Sequence, residues 1–191
     1  MRVAVIPARS GSRRVPRKNV KPFLGIPVIG RTITACKESG LFQTIYVTTD
    51  DAEIAEIALA YGAQPLHRPP HLAQDHIGTQ QVMQHTVRSL RLYERDEVCC
   101  VYPATPLLTA DDLRASYSYL DGMSYVVAVG TDPLRDIGWL YWGNYWLFAE
   151  GRELYHQNTT LYAIRAPRAI DINVQSDWDD AERVYRELHE R

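Results

Sequence analysis

Short apolar runs and amphipathic stretches take turns along the chain. Val3–Ile6 is a continuous apolar run and reads as a buried strand. Val28–Ser39 follows as a helix that ends at Gly40. Ile45–Thr49 is rich in β-branched residues, a second strand closed by Asp50-Asp51. Ala52–Tyr61 places Ile54, Ile57, Ala58 and Tyr61 at helical spacing and stops at Gly62. Gln64–Pro70 is extended and proline-rich. Thr79–Tyr93 reads as a second long helix, with Val82, Met83, Val87, Leu90 and Leu92 forming its apolar stripe. Val98–Tyr102 is apolar throughout, a strand covered on both faces. Thr109-Ala110-Asp111-Asp112 caps a helix running to about Leu120, and Tyr125–Val129 is a further buried strand.

This alternation predicts an α/β fold of the Rossmann-like kind: an open, mostly parallel sheet with helices on both faces. Ligands in such sheets sit beyond the carboxyl ends of the strands. Arg9 onward, Thr49-Asp50 and Tyr102–Pro106 should therefore converge on one cleft. Residues 136–149 differ in character, with Trp139, Trp142 and Trp146 around Gly143-Asn144. The expectation is an aromatic hairpin insertion at about 136–150 that turns at Gly143-Asn144. Three uses stand open for its rings: completing the core, a self-association surface, or a substrate wall. At 191 residues the chain is expected to form a single domain.

Charge narrows the function classes. The net charge of −2 leaves no broad basic face, which argues against nucleic-acid binding. No apolar stretch approaches the roughly 18 residues needed to span a bilayer, and no signal segment is visible. Cys36, Cys99 and Cys100 make neither a disulfide framework nor a metal-binding pair. The expected location is the cytoplasm.

Against this neutral background, the loop after the first strand stands out. Ala8-Arg9-Ser10-Gly11-Ser12-Arg13-Arg14-Val15-Pro16-Arg17-Lys18-Asn19 packs five cations into ten residues, from Arg9 to Lys18. Small residues let backbone N–H groups approach an anion, and the cations neutralise it. The loop is suited to a polyphosphate.

The run Ile6–Val20 resembles the signature of the acylneuraminate (CMP-nonulosonic acid) cytidylyltransferases. Further resemblances follow in order: Val47–Asp51, Arg68–Thr79, Val101–Leu107 and Ile170-Asp171-Ile172-Asn173. Asp75–Thr79, Cys99-Cys100 and Leu154-Tyr155-His156 with Leu161-Tyr162 are most similar to the pseudaminic acid subgroup. The resemblance implies the nucleotide-diphospho-sugar transferase type of fold. It also implies transfer of CMP from CTP to the anomeric hydroxyl of a nine-carbon acidic sugar, with release of pyrophosphate.

Site residues are carried over position by position. Lys18 would stabilise charge on the α-phosphate, with Arg9 and Asp171 as its catalytic companions. Ala8, Ser10, Gly11, Ser12 and Arg13 would hold the triphosphate, Asn19 the nucleotide, and Arg68 the cytosine through its O2 and N3 acceptors. Arg14 and Arg17 are expected to be solvated loop charges. Asp75 would contact the nucleotide or fix the pocket's loop; Thr79 is a nucleotide contact or simply a helix N-cap. Thr105, His156 and Tyr162 are the candidate sugar contacts, with core packing an equal account of Tyr162. A homodimer is also implied.

Two departures matter. Relatives usually carry Asp-Ile-Asp where this chain has Asp171-Ile172-Asn173, so the implied Mg²⁺ site pairs Asp171 with an uncharged amide at Asn173 and should be weak. Relatives also have tens of additional residues between the strand near Val129 and the Tyr155 region. Two alternatives therefore stand beside the leading reading: a degenerate nucleotide-binding relative without turnover, and a nucleotidyltransferase for another sugar acid.

Overall fold

The structure, a computed structural model, describes residues 1–189. Its centre is a seven-stranded sheet in the order β5-β4-β1-β6-β8-β7-β9. The strands are β1 (Arg2–Pro7), β4 (Thr44–Thr49), β5 (Gln64–His67), β6 (Glu97–Val101), β7 (Val126–Thr131), β8 (Leu134–Asn144) and β9 (Thr160–Ile164). All neighbours pair in parallel except β8, which runs antiparallel to both β6 and β7. A two-stranded ribbon, β2 (Pro22–Phe23) and β3 (Ile26–Pro27), leads from the basic loop into the first helix. The expected α/β Rossmann-like architecture is present, with one antiparallel strand inserted near its middle.

The period-2 alternation of each strand feeds two apolar layers. Ala4 and Ile6 of β1, Cys99 and Val101 of β6, and Val126 and Ala128 of β7 face one layer. That layer is closed by α1 (Val28–Glu38), α2 (Ala52–Ala60), α4 (Ala110–Tyr117) and α6 (Gln175–His189). Val3, Val5, Val98, Cys100 and Val127 face the other, closed by α3 (Thr79–Ser89) and α5 (Tyr145–Ala149). Val3, Val5 and Ile6 are fully buried, and each contributes roughly 1.5–3 kcal/mol. No helix among the described residues is long and apolar enough to cross a membrane.

Helix starts follow local chemistry. Asp51 caps α2 by accepting from the Ile54 N–H at 3.1 Å. Thr109 and Asp112 form a reciprocal cap at α4, with Asp112 N to Thr109 Oγ1 at 3.2 Å and Thr109 N to Asp112 Oδ2 at 3.0 Å. Two helices end earlier than their apolar spacing suggests. α3 stops at Ser89, not Tyr93: Leu90 turns extended, and the Tyr93 N–H is taken by Asp96 Oδ2 at 2.8 Å. α4 stops at Tyr117, not Leu120.

The aromatic hairpin at 136–150 is not formed. β8 runs unbroken through Gly143 to Asn144, and α5 begins at Tyr145. The reversal lies upstream, at Asp132-Pro133 between β7 and β8. Gly143 serves close packing, since a Cβ there would stand 2.7 Å from two ring carbons of Tyr125. Trp139 and Trp142 are core residues, 1% and 0% exposed. Trp142 stacks on Phe42 with centroids 5.3 Å apart and donates Nε1–H to Ser116 Oγ at 3.0 Å.

Candidate active site

The carboxyl ends of β1, β5 and β6 open into a cleft of about 750 Å³. Its walls carry Arg9, Ser12, Arg13, Arg14, Lys18 and Asn19 from the basic loop, Arg68 after β5, and Asp75 and Thr79 around the start of α3. Thr105 follows β6, Asp136, Gly138 and Tyr141 come from β8, and Asp171 and Asn173 precede α6. The expected convergence holds for the loop from Arg9 and for Tyr102–Thr105, whereas Thr49 and Asp50 do not line the cleft.

The basic loop folds back on itself. Lys18 N–H donates to Val15 O at 3.1 Å, and Val20 N–H to Arg17 O at 3.0 Å, with Arg17 at a positive φ of 54°. This turn points Arg17 away, onto Asp51 at 3.2 Å and onto Glu53 at the start of α2. Lys18 points inward and donates Nζ–H to Ile172 O at 2.7 Å. Burial lowers the Lys18 pKa; Asp171 and Asp177 oppose that, while Arg14 and Arg9 add to it. Asn19, 7% exposed, holds the loop's entry by donating to Arg9 O at 2.9 Å. Arg14, expected as a solvated charge, instead reaches Asn173 Oδ1 at 2.9 Å.

Arg9 and Arg13 share one carboxylate. Arg9 NH1 lies 2.6 Å from Asp75 Oδ1, and Arg13 Nε 3.1 Å from Asp75 Oδ2. The Arg9 hydrogen bond holds the Asp75 carboxyl below the usual range. Ser12 lines the cleft, but Ala8, Ser10 and Gly11 do not. Ala8 is fully buried in the core, Gly11 is not on the walls, and Ser10 turns to Asp50, donating N–H at 3.0 Å and Oγ–H at 2.8 Å.

Arg68 is 2% exposed, and burial lowers its pKa to about 10, with Asp50 opposing. One guanidinium nitrogen donates to Thr48 O at 2.8 Å, yet Nε is buried without a partner. A buried donor left unpaired costs on the order of 1–3 kcal/mol, so it marks a place for an acceptor that the chain itself does not supply.

Thr79 is the first residue of α3, not its cap; Gly78 occupies the cap position, and Thr79 Oγ1 pairs with the Tyr102 hydroxyl. Thr105 is committed inward, donating to Tyr102 O at 2.9 Å and lying 3.2 Å from Thr32 Oγ1. His156 and Tyr162 are not on the walls: His156 is exposed with Nδ1 accepting from Asn158 N–H at 3.2 Å, and Tyr162 donates to Asp112 Oδ1 at 3.2 Å. Tyr155 is the member of that run nearer the cleft, its phenol pushed up by burial and by the Asp136 carboxylate.

At the far wall, burial raises the Asp171 pKa; the Asn173 hydrogen bond and Lys18 oppose, while Asp136 and Asp177 add to it. Asn173 Nδ2 donates to Asp171 Oδ2 at 2.5 Å. Arginine can only donate and a carboxylate can only accept, so Arg14 and Asp171 together fix which way that amide points. Among the described residues no group of three or more His, Cys, Asp or Glu side chains is placed to hold a metal. A nucleotide-associated Mg²⁺ needs only one or two carboxylates beside phosphates and water, and Asp171 supplies a hard oxygen donor of that kind. Asp136, Tyr141 and Arg14 are absent from the sequence-based site; their placement depends on strand register and on contacts distant in sequence.

A family profile described as cytidylyltransferase matches residues 3–170. Pseudaminic acid cytidylyltransferase of Campylobacter jejuni serotype O:2 is 41% identical over 118 residues, covering 60% of this chain and 51% of that protein. The chain thus spans about half of that relative's length. The protein of the same name from Campylobacter jejuni serotype O:23/36 is 27% identical over 226 aligned positions, covering 98% of this chain and 97% of the relative. That alignment is longer than this chain, so the relative carries residues this one lacks. CMP-N,N'-diacetyllegionaminic acid synthase of Legionella pneumophila is 36% identical over 118 residues, 59% of this chain and 50% of that protein. Among solved structures, a CMP:2-keto-3-deoxy-manno-octonic acid synthetase complexed with CTP superposes with a TM-score of 0.77 at 12% identity, covering 98% and 99% of the two chains. Mycobacterium tuberculosis Rv0371C in complex with manganese gives 0.69 at 13% identity, over 95% and 98%. These likenesses carry the fold, and the profile match across most of the chain carries the classification: the chain belongs to the cytidylyltransferase family.

Proposed function

We propose that residues 1–191 act as one unit that transfers CMP from CTP to the anomeric hydroxyl of a nine-carbon acidic sugar of the nonulosonic class, pseudaminic acid or a near relative. The anomeric oxygen forms a bond to the α-phosphorus as the bond to the β-phosphate bridging oxygen breaks. Pyrophosphate leaves with that electron pair, and the hydroxyl proton passes to water. The observation that carries the reading is Arg68: a cleft-lining guanidinium, 2% exposed and with its Nε unpartnered within the chain, suits the acceptor edge of cytosine.

Arg9, Arg13 and Ser12 border the space the triphosphate would take, and Lys18 is placed for charge building on the α-phosphate. Asn19 fixes the loop that presents them. Phosphoryl-type transfer needs chiefly positioning and charge neutralisation, which these groups offer. A divalent cation, Mg²⁺ in this reading, supplies further neutralisation at the phosphates when bound, with Asp171 as its carboxylate. By family resemblance the protein works in the cytoplasm as a homodimer.

The Asn173–Asp171 hydrogen bond favours one second reading, a nucleotide binder without turnover. Calorimetric titration with CTP and UTP, then pyrophosphate release across a panel of nonulosonic acids, separates the two. CTP-selective binding with release for one acid is expected. Binding without release supports the second reading, and failure to bind nucleotide sinks both. Arg68→Met should abolish the preference for CTP over UTP.

A further inference from the structure

We propose that Asp136 is the second carboxylate of the reaction centre, holding with Asp171 the divalent cation that accompanies the triphosphate. The inference rests on the CTP-dependent reading above and assigns a residue that the sequence pattern did not single out.

The need for a second acid follows from Asn173. Its oxygen is taken by Arg14 at 2.9 Å and its nitrogen faces Asp171, so the amide stands between these two groups as a bridge. Only Asp171 of that segment offers charge to a cation.

Asp136 lies on the same cleft, exposed toward it and held in one orientation. Its Oδ1 accepts from Gly138 N–H at 2.7 Å and from the Tyr141 hydroxyl at 3.0 Å; Oδ2 lies 2.8 Å from the same hydroxyl. The Tyr155 phenol also lies against this carboxylate, and with about four lone-pair directions the group still has capacity for one further ligand. The backbone achieves this with an irregular bulge. Val127 pairs with Tyr141 and Val129 with Asp136, so residues 137–140 stand against Ala128 alone. Such bulges re-aim side chains beside active sites.

The bulge is tied to the Asp171 segment. Trp139 Nε1–H donates to Ile170 O at 2.9 Å. Gly138, at a φ of +57°, sits between the two acids: its N–H holds Asp136, and a Cβ built on it would stand 3.9 Å from Asp171 Oδ1. The missing side chain keeps that space open. Two carboxylates facing one space repel unless a cation lies between them, and hard oxygen pairs suit Mg²⁺ or Mn²⁺ with phosphates and water completing the shell. Independently, the same cleft is lined by Arg68, a buried guanidinium whose Nε has no partner within the chain.

The test is Mn²⁺ titration of the full chain, with free Mn²⁺ read by electron paramagnetic resonance, with and without CTP. Asp136→Asn should weaken Mn²⁺ binding by about 10–100-fold, and Tyr141→Phe, which frees the carboxylate without removing it, by about tenfold. Asp136→Asn/Asn173→Asp should return to within about threefold of the wild type, because it restores the acid count. Melting curves establish that each variant is folded, and Tyr141→Phe carries the test if Asp136→Asn is not. Equal Mn²⁺ affinity in wild type and Asp136→Asn overturns the proposal, as does a wild type that binds no Mn²⁺ in either condition. Metal-free CTP titration of the wild type reports separately on the nucleotide reading: loss there, with Mn²⁺ binding still dependent on Asp136, breaks that reading and not this pair.

Discussion

Lys18 Nζ donates to the carbonyl oxygen of Ile172 at 2.7 Å, tying the loop after β1 to the segment that carries Asp171. The bond crosses the cleft between residues 154 positions apart in sequence. It holds a cation where charge would build in the proposed transfer, at a site whose burial already disfavours that cation.

Lys18→Ala should therefore lower the turnover rate more than it lowers CTP affinity. Removing one preorganised donor to a transition-state charge typically costs about 10²–10³ in rate. Burial sets the Lys18 pKa below the ordinary 10.5, helped by Arg14 and Arg9 and opposed by Asp171 and Asp177. The cation is lost as pH rises through that lowered value, so kcat/KM, which reports the free protein, should fall on the alkaline side earlier than an ordinary lysine would allow. Lys18→Arg stays charged and should flatten that limb. A pH–rate profile identical for both proteins would remove Lys18 from the chemistry.

Asp75 stands against Arg9 and Arg13 where an incoming triphosphate would compete for them. Both contacts are solvent-exposed and salt-screened, so each is weak. Asp75→Asn should tighten CTP binding by roughly two- to fivefold at low salt, with the gain shrinking as salt rises. Weaker binding in titration calorimetry would mean that the carboxylate contacts the nucleotide directly.

Much of this arrangement could be read from the chain because local pattern and local chemistry agree there. β1, β4 and β6 are short apolar runs, and the rule that ligands sit at strand carboxyl ends places the loop from Arg9 and the residues after Tyr102 on one cleft, whereas Arg68 is reached only through the family resemblance. What could not be read depends on pairing. Trp139, Trp142 and Gly143 carry no mark of strand direction, and Gly143-Asn144 has turn composition although its glycine answers to the Tyr125 ring. Asp136 enters the cleft only through the bulge in β8. The partner of Arg14 is 159 positions away. Leu90 and Leu92 continue the apolar stripe of α3 past its end at Ser89, whereas Asp96 captures the Tyr93 N–H from beyond it.

The packing role of Gly143 gives a direct prediction. A methyl group there meets Tyr125 Cδ1 and Cε1 at 2.7 Å and Phe148 Cε2 at 3.2 Å, with both rings fully buried. Gly143→Ala should destabilise the protein by about 1–3 kcal/mol, an overpacking cost. At a mobile turn the same change would be nearly silent. Urea unfolding distinguishes the two outcomes.

The last prediction concerns the network that holds Tyr162 away from the cleft. Asp112, 3% exposed, accepts from Arg168 NH1 at 2.8 Å and NH2 at 2.9 Å, and from Thr109 N–H at 3.0 Å. Burial pushes its pKa up, but the hydrogen bonds from Arg168 and Thr109 outweigh burial and leave it below the ordinary 3.8. A carboxyl with a depressed folded pKa stabilises the fold above its unfolded pKa, and that contribution is lost as pH falls through the folded value. Arg168→Met strands the buried charge and should cost about 2–3 kcal/mol at neutral pH, the low side of the range for a broken buried pair because the Arg168 side chain is 29% exposed. In the variant the Asp112 carboxyl rises above its unfolded value, so protonation relieves the penalty. The stability gap between the two proteins should therefore begin to narrow as pH falls through the variant's raised carboxyl value, above the ordinary 3.8, and close as pH falls through the depressed wild-type value. Thermal melts across pH 3–7 read that gap directly, and a gap independent of pH would assign the loss to packing of the arginine stem instead of to its charge.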